Sequence, residues 1–296
     1  MGKSVLVLGA SGMLGHKMLQ VLSEKNSVCG TVRNTNVGGY ELISEYPLIG
    51  GVDATDFNTV SKAIKTFKPD IVVNCIGIIK QLPESNDVMK SMLLNSVLPH
   101  KLATYCTDNN SKLIHISTDC VFSGKKGMYK ESDVSDVDDI YGLTKYIGEI
   151  DDGHNLTIRT SIIGREIITQ HGLVEWFLSN RGKTVNGYKK SIFSGVTTIE
   201  LSRIVNKLIK DDYIRGLHHV AAEPINKYNL ITKINKYICE RDQVNIVPVD
   251  GENLDRSLDG KRLFTTHSYQ SPSWDIMIGE MMADPTPYDQ IRSRHV

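Results

Sequence analysis

Residues 4–15 read SVLVLGASGMLG. Val5 to Leu8 form an unbroken apolar run, which suits a strand covered on both faces, as in a parallel sheet. The run ends in Gly9, Gly12 and Gly15 and passes into a helical pattern. In that context Gly9 takes a tight turn, Gly12 lets the backbone approach a pyrophosphate, and Gly15 lets the helix pack close on the strand. The helix N-terminus adds amide donors and a positive dipole end. The stretch therefore predicts the opening of a dinucleotide-binding βαβ series.

The pattern continues outward. Short apolar, β-branched runs at 27–33, 49–53, 70–77, 112–118 and 155–162 alternate with helical patterns at 12–25, 56–67, 86–109 and 141–151. Repeated strand and helix in this order imply an α/β fold, a Rossmann-type doubly wound parallel sheet with right-handed crossovers. Pro99 lies inside the third helical pattern and should kink it. Beyond about residue 165 the rhythm breaks. Helical patterns at 173–180, near 198–210 and near 227–241, a short strand "LHHVA" and mixed turns follow, which points to a smaller mixed α/β region. The expected division is 1–165 for cofactor and chemistry and 166–296 for substrate, with some interleaving of the two. Trp176 is expected on the core face of its helix.

Composition limits the partners. The 296 residues carry 34 basic and 34 acidic side chains, with a pI near 7.1. Nucleic acid or an anionic membrane surface calls for a large basic field, so neither is expected as a partner. The longest apolar runs, such as "IVVNCIGII", fall far short of the ~20 residues of a spanning helix, and the N-terminus lacks a signal-peptide pattern. Five cysteines without a CxxC pair read as free thiols in a reducing compartment, so a cytoplasmic location is expected. Nine histidines without an HExxH spacing imply no metal site.

The end of the second strand bears on the choice of cofactor. "TVRN" offers Arg33 and Asn34 and no carboxylate until Glu41, which favours the 2′-phosphate of NADP over the free ribose hydroxyls of NAD. NADPH is thus the expected cofactor and NADH the alternative. Asp53 stands where a carboxylate could accept from the adenine amino group, with Asp56 the better helix cap. "NCIG" brings Asn74, Cys75, Ile76 and Gly77 to the ligand end of the fourth strand.

The chemistry gathers further on. The fifth strand runs into "HISTDCVFSG", and 23 residues past Thr118 comes "YGLTKYIGE". Tyr141 and Lys145 are four apart and share a helix face, bringing an ammonium near a phenol. That neighbour, with an oxidised nicotinamide, would favour the phenolate and bring Tyr141 into range for proton transfer. Thr118 can hold a substrate oxygen while a hydride reaches its carbon.

On these residues the chain resembles the extended short-chain dehydrogenase/reductase superfamily, and within it the dTDP-4-dehydrorhamnose reductase family of nucleotide-sugar 4-keto reductases. "GASGMLG", "HISTDCVFSG", "YGLTKYIGE" and "TIRTSIIG" carry the likeness, which covers nearly the whole chain. It implies Thr118, Tyr141 and Lys145 as catalytic residues. It implies cofactor contacts at Gly9, Ser11, Gly12, Met13, Leu14, Asp53, Cys75, Ile76, Gly77, Asn95, Tyr141 and Lys145, with Asn95 also supporting the active-site backbone. Arg256 falls near the substrate diphosphate. Cys120 and Ile162 replace aromatic residues common in the family, and a pocket widened for a 2-acetamido group would account for both. The resemblance implies NADPH-dependent reduction of a dTDP- or UDP-linked 4-keto-6-deoxy sugar, in a chain whose relatives commonly form homodimers. Two alternatives stand beside it. One is a combined epimerase and reductase with Cys120 as the extra acid/base, and the other is a cofactor-binding regulatory subunit.

Overall fold

The computed structural model describes residues 2–36, 41–80 and 87–293. The first half comprises β1 (Ser4–Leu8), α1 (Met13–Ser23), β2 (Ser27–Thr31), β3 (Leu48–Ile49), α2 (Phe57–Phe67), β4 (Ile71–Asn74), α3 (Val88–Ser91), α4 (Leu98–Asp108), β5 (Lys112–Thr118), α5 (Ile140–Ile147) and β6 (Leu156–Thr160). There follow β7 (Ile162–Ile163), α6 (Leu173–Leu178), β8 (Thr184–Tyr188), β9 (Ser191–Phe193), β10 (Val196–Thr197), α7 (Thr198–Leu208) and β11 (Gly216–His219). The chain continues with β12 (Ile225–Asn226), α8 (Lys227–Asn235), β13 (Asn245–Val249), β14 (Leu254–Asp255), α9 (Lys261–His267), α10 (Trp274–Met282) and α11 (Tyr288–Ser293).

Seven strands make the main sheet in the order β11-β6-β5-β4-β1-β2-β3, and every neighbouring pair is parallel. This is the doubly wound fold the sequence predicts. Strand order reverses between β1 and β4, so the crevice beyond their carboxyl ends is the natural ligand position. Alternate residues of β1 serve opposite faces: Val5 and Val7 join one buried cluster with α1 and α7, and Leu6 and Leu8 join another with α2 and α4. Local signals fix the helix starts. Asp56 and Asp139 accept from Asn58 N and Gly142 N at the starts of α2 and α5. Thr197 accepts from Glu200 N at the start of α7.

Several expectations need correction. The helix expected at 86–109 begins outside the described residues and is composite: π-helical turns at Met92–Val97 separate α3 from α4. Pro99 falls where these turns run into α4, so widened turns stand in for a simple kink. The strand expected at 49–53 is only Leu48–Ile49. The run at 155–162 splits at Ser161, and β7 leaves the sheet to pair with β10. In keeping with the expected interleaving, strand β11 from beyond residue 165 forms the seventh strand, and the main cluster joins Val5 to Ile278. Three helices occupy the tail where only turns are expected. Trp176 is 39% exposed, and Val174, Phe177 and Leu178 form the buried face of α6. Among the described residues no helix is long and apolar enough to cross a membrane.

Candidate functional site

Gly9, at φ +78°, turns the chain out of β1. A β-carbon at Gly15 would lie 2.0 Å from the Gly9 carbonyl oxygen, so only glycine lets α1 approach the loop this closely. A β-carbon at Gly12 would meet only Gly9 O, at 3.4 Å, leaving its backbone approachable. Gly12 caps α1 with no side-chain hydrogen bond, so the first-turn amides remain for water or a ligand. Leu14 buries its side chain in the core, which leaves only its amide for such a contact, whereas Ser11 is exposed and Met13 half-buried.

Beside the loop lies a cleft of about 500 Å³ that brings together Gly9, Ser11, Arg33, Asn34, Asp53 and Ile76. Asp53 Oδ1 accepts from the Thr55 amide at 3.0 Å and the Thr55 hydroxyl at 2.9 Å. Those two bonds, with Arg33 adding, hold its carboxyl below the usual range. Uncapped amides, an approachable glycine and a cleft beside them fit a dinucleotide.

The second group of residues surrounds the carboxyl end of β5. Thr118 Oγ1 accepts from Cys120 N at 3.1 Å and donates to Asp119 Oδ1 at 3.2 Å. Lys145 is buried on α5, and its Nζ donates to Ile116 O at 2.8 Å. A β-carbon at Gly77 would lie 3.9 Å from Lys145 Nζ, so the loop after β4 meets the same site. Burial lowers Lys145 to about 8, with the Glu149 carboxylate opposing. The Tyr141 phenol is raised, not lowered as expected: burial foremost, then Cys120, raises it, with Asp119 and Asp139 adding and the Thr118 hydroxyl opposing. The phenol therefore keeps its proton, as an acid must. Burial and the adjacent Asp119 push the Cys120 thiol up to about 12, which disfavours the thiolate an epimerase base would need.

Arg256 stands at this same end of the sheet. Its Nε donates to Phe122 O at 2.8 Å and its Nη1 lies 3.6 Å from Cys120 Sγ. Ile162 packs half-buried against the main core, and Cys75 likewise. Asn95 has its amide committed to Ile78 and Thr144, so it braces the backbone between them.

Sequence reasoning missed the support from Glu149 and placed Asn74 without its bonds. Glu149 receives the Arg159 guanidinium through Nε at 2.7 Å and Nη2 at 2.6 Å, and the Ser117 hydroxyl at 2.6 Å. Its spacing of four from Lys145 was the available signal. Asn74 links the site to the sheet: its Oδ1 accepts from Ile76 N at 3.1 Å, and its Nδ2 stands 3.2 Å from His115 Nδ1.

The family model described as "RmlD substrate binding domain" matches residues 3–282. The chain is 29% identical over 224 residues to the spore coat polysaccharide biosynthesis protein SpsK of Bacillus subtilis, covering 73% of this chain and 72% of that one. It is 26% identical over 232 residues to the dTDP-4-dehydrorhamnose reductase of Aggregatibacter actinomycetemcomitans, covering 74% of each. A crystal structure of dTDP-4-dehydrorhamnose reductase from Bacillus anthracis in complex with NADP superposes with a TM-score of 0.78 at 22% identity, covering 96% of this chain and 100% of that one.

Proposed function

The chain belongs to the RmlD substrate-binding-domain family, and from that premise we propose that it is an oxidoreductase that reduces the 4-keto group of a nucleotide-activated 4-keto-6-deoxy sugar with NADPH. The observation that carries the reading is the gathering of Thr118, Tyr141 and Lys145 at the end of β5, next to an uncapped glycine loop. When bound, the reduced nicotinamide supplies the hydride. The hydroxyls of Thr118 and Tyr141 hold the sugar's carbonyl oxygen, and Tyr141 gives its proton to that oxygen as negative charge develops there. Lys145, fixed on Ile116 O, stabilises the phenolate that remains.

Arg33 at the cleft rim supports NADPH over NADH, since a guanidinium forks onto a phosphate. Arg256 is assigned to the substrate diphosphate, and Cys120 with Ile162 to a sugar pocket able to take a 2-acetamido group. Residues 1–165 then carry cofactor and chemistry, while 166–296 select the sugar, apart from the strand β11 lent back to the sheet. Leu143 and Ile147, exposed on α5, supply an apolar face on which two copies would pair. The reaction belongs in the cytoplasm, where nucleotide sugars are made.

The test is direct. Purified protein is mixed with NADPH and a panel of dTDP- and UDP-linked 4-keto-6-deoxy sugars, and loss of nicotinamide absorbance is followed. Turnover with at least one sugar supports the reading. NADPH binding without turnover of any sugar overturns it in favour of a regulatory subunit.

A further inference from the structure

His16 lies on α1 just past the glycine loop and is fully buried. Its Nδ1 is 2.8 Å from the Gly12 carbonyl oxygen, and its Nε2 is 2.9 Å from the Tyr288 hydroxyl. A carbonyl oxygen can only accept, so Nδ1 carries the ring proton. Nε2 is then bare and accepts from the Tyr288 O–H. The tyrosine has one proton to give, and the distances agree. Asp284 Oδ2 stands farther from the phenol oxygen, at 3.2 Å, and the carboxylate is satisfied by Lys17 and by the amide and hydroxyl of Thr286. Burial keeps the imidazole neutral, lowering it to about 4.

This contact acts on the loop through one peptide plane. In a trans peptide the Gly12 C=O and the Met13 N–H point in opposite directions. The Gly12 oxygen is held by the His16 imidazole and also by the His16 backbone N–H, at 3.2 Å. Fixing that carbonyl toward the helix aims the Met13 N–H out of the helix start. No side chain caps α1, so its first amides stay free, and the imidazole N–H adds a second donor to the Gly12 carbonyl beside the helix's own N–H.

Tyr288 is itself held firmly. The Arg165 guanidinium lies 4.7 Å and the Lys17 ammonium 5.4 Å from its ring centroid. Arg165 and Arg292 both pair with the buried Glu175, and both reach Asp289, at 3.0 and 2.9 Å. We infer that His16 and Tyr288 are positioning residues for pyrophosphate recognition, through which helix α11 aims the Met13 amide at the phosphates of a dinucleotide. The inference rests on the dinucleotide reading of the glycine loop.

The experiment compares two ligands in binding titrations with the whole chain. NADPH has the pyrophosphate, whereas adenosine 2′-monophosphate has only the adenosine end. In Tyr288→Phe and His16→Leu the dissociation constant for NADPH should rise about fivefold, the loss expected for one hydrogen bond. That for adenosine 2′-monophosphate should stay within about twofold. His16→Asn, whose amide can donate near the place of Nδ1, should recover most of the NADPH affinity. Unchanged NADPH binding in Tyr288→Phe and His16→Leu overturns the inference. An equal loss for both ligands also overturns it, since that marks general damage to the fold. A wild-type chain that binds neither ligand overturns the dinucleotide reading, and this inference with it.

Discussion

Asn95 grips Ile78 at both of its backbone polar groups: Oδ1 accepts from Ile78 N at 2.9 Å, and Nδ2 donates to Ile78 O at 3.2 Å. The same Nδ2 reaches Thr144 Oγ1 at 3.3 Å. One buried amide thus ties the loop after β4 to the helix that carries Tyr141 and Lys145. The two halves of the proposed site, cofactor loop and catalytic helix, are held in register by a residue with no part in the chemistry.

Replacing Asn95 by Leu keeps the volume but leaves the Ile78 amide and carbonyl buried without a partner. Each unsatisfied group costs about 1–3 kcal/mol, so a loss of about 2–6 kcal/mol is expected in urea denaturation. An unchanged unfolding midpoint contradicts this role.

Lys145 sets a pH limit. Burial lowers it to about 8, from an ordinary value of 10.5. Between those values the unfolded chain holds the proton and the folded chain does not, so stability rises with pH across that window, and the buried charge costs most below about pH 8. Activity moves the other way, because the ammonium is lost as pH passes its pKa. Log kcat/KM for reduction should bend downward above about pH 8, while Tyr141, raised by burial, stays protonated there. Lys145→Met should be slow at every pH and lack the bend. A wild-type profile flat through pH 10 contradicts the assignment.

Glu149 connects that behaviour to the core. Its carboxylate pairs with the buried Arg159 at 2.6 Å and also favours the charged form of Lys145. Glu149→Gln leaves the guanidinium without its counter-ion, at an expected cost of about 3 kcal/mol. The downward bend in the pH profile should also begin at lower pH. Loss of stability with an unmoved bend would limit Glu149 to a structural role.

How much of this was legible in the sequence follows from how local each signal is. The sheet could be read because Val5–Leu8 and Val72–Val73 are apolar runs bounded by turns, and because the three glycines follow β1 directly. Tyr141 and Lys145 could be placed because a spacing of four fixes their common face. The returning strand β11 and the departing β7 depend on partners far along the chain, Arg159 for His219 and Val196 for Ile162, so no local pattern marks them. The same holds for Asn95, Glu149 and His16, whose meaning lies in Ile78, Arg159 and Tyr288. Helices α9 to α11 are short, and Trp176 misled because a large apolar residue usually marks the buried face.

Arg33 is exposed at the rim of the cleft formed with Asp53. If it receives a 2′-phosphate, Arg33→Ala should raise KM for NADPH about tenfold and leave that for NADH nearly unchanged, since one charge-assisted contact is worth about 1.5–3 kcal/mol. Parallel steady-state titrations with the two cofactors give the ratio. Equal effects on both would remove the arginine from cofactor choice.

The central claim is that Tyr141 supplies the proton for keto reduction. It is tested by kcat for NADPH oxidation with the preferred nucleotide 4-keto sugar in Tyr141→Phe, alongside the NADPH dissociation constant of the same variant. Loss of a general acid is worth about 10²–10⁴-fold, so kcat should fall by at least a hundredfold while the dissociation constant stays within about twofold. A Tyr141→Phe variant that retains wild-type turnover would contradict the account.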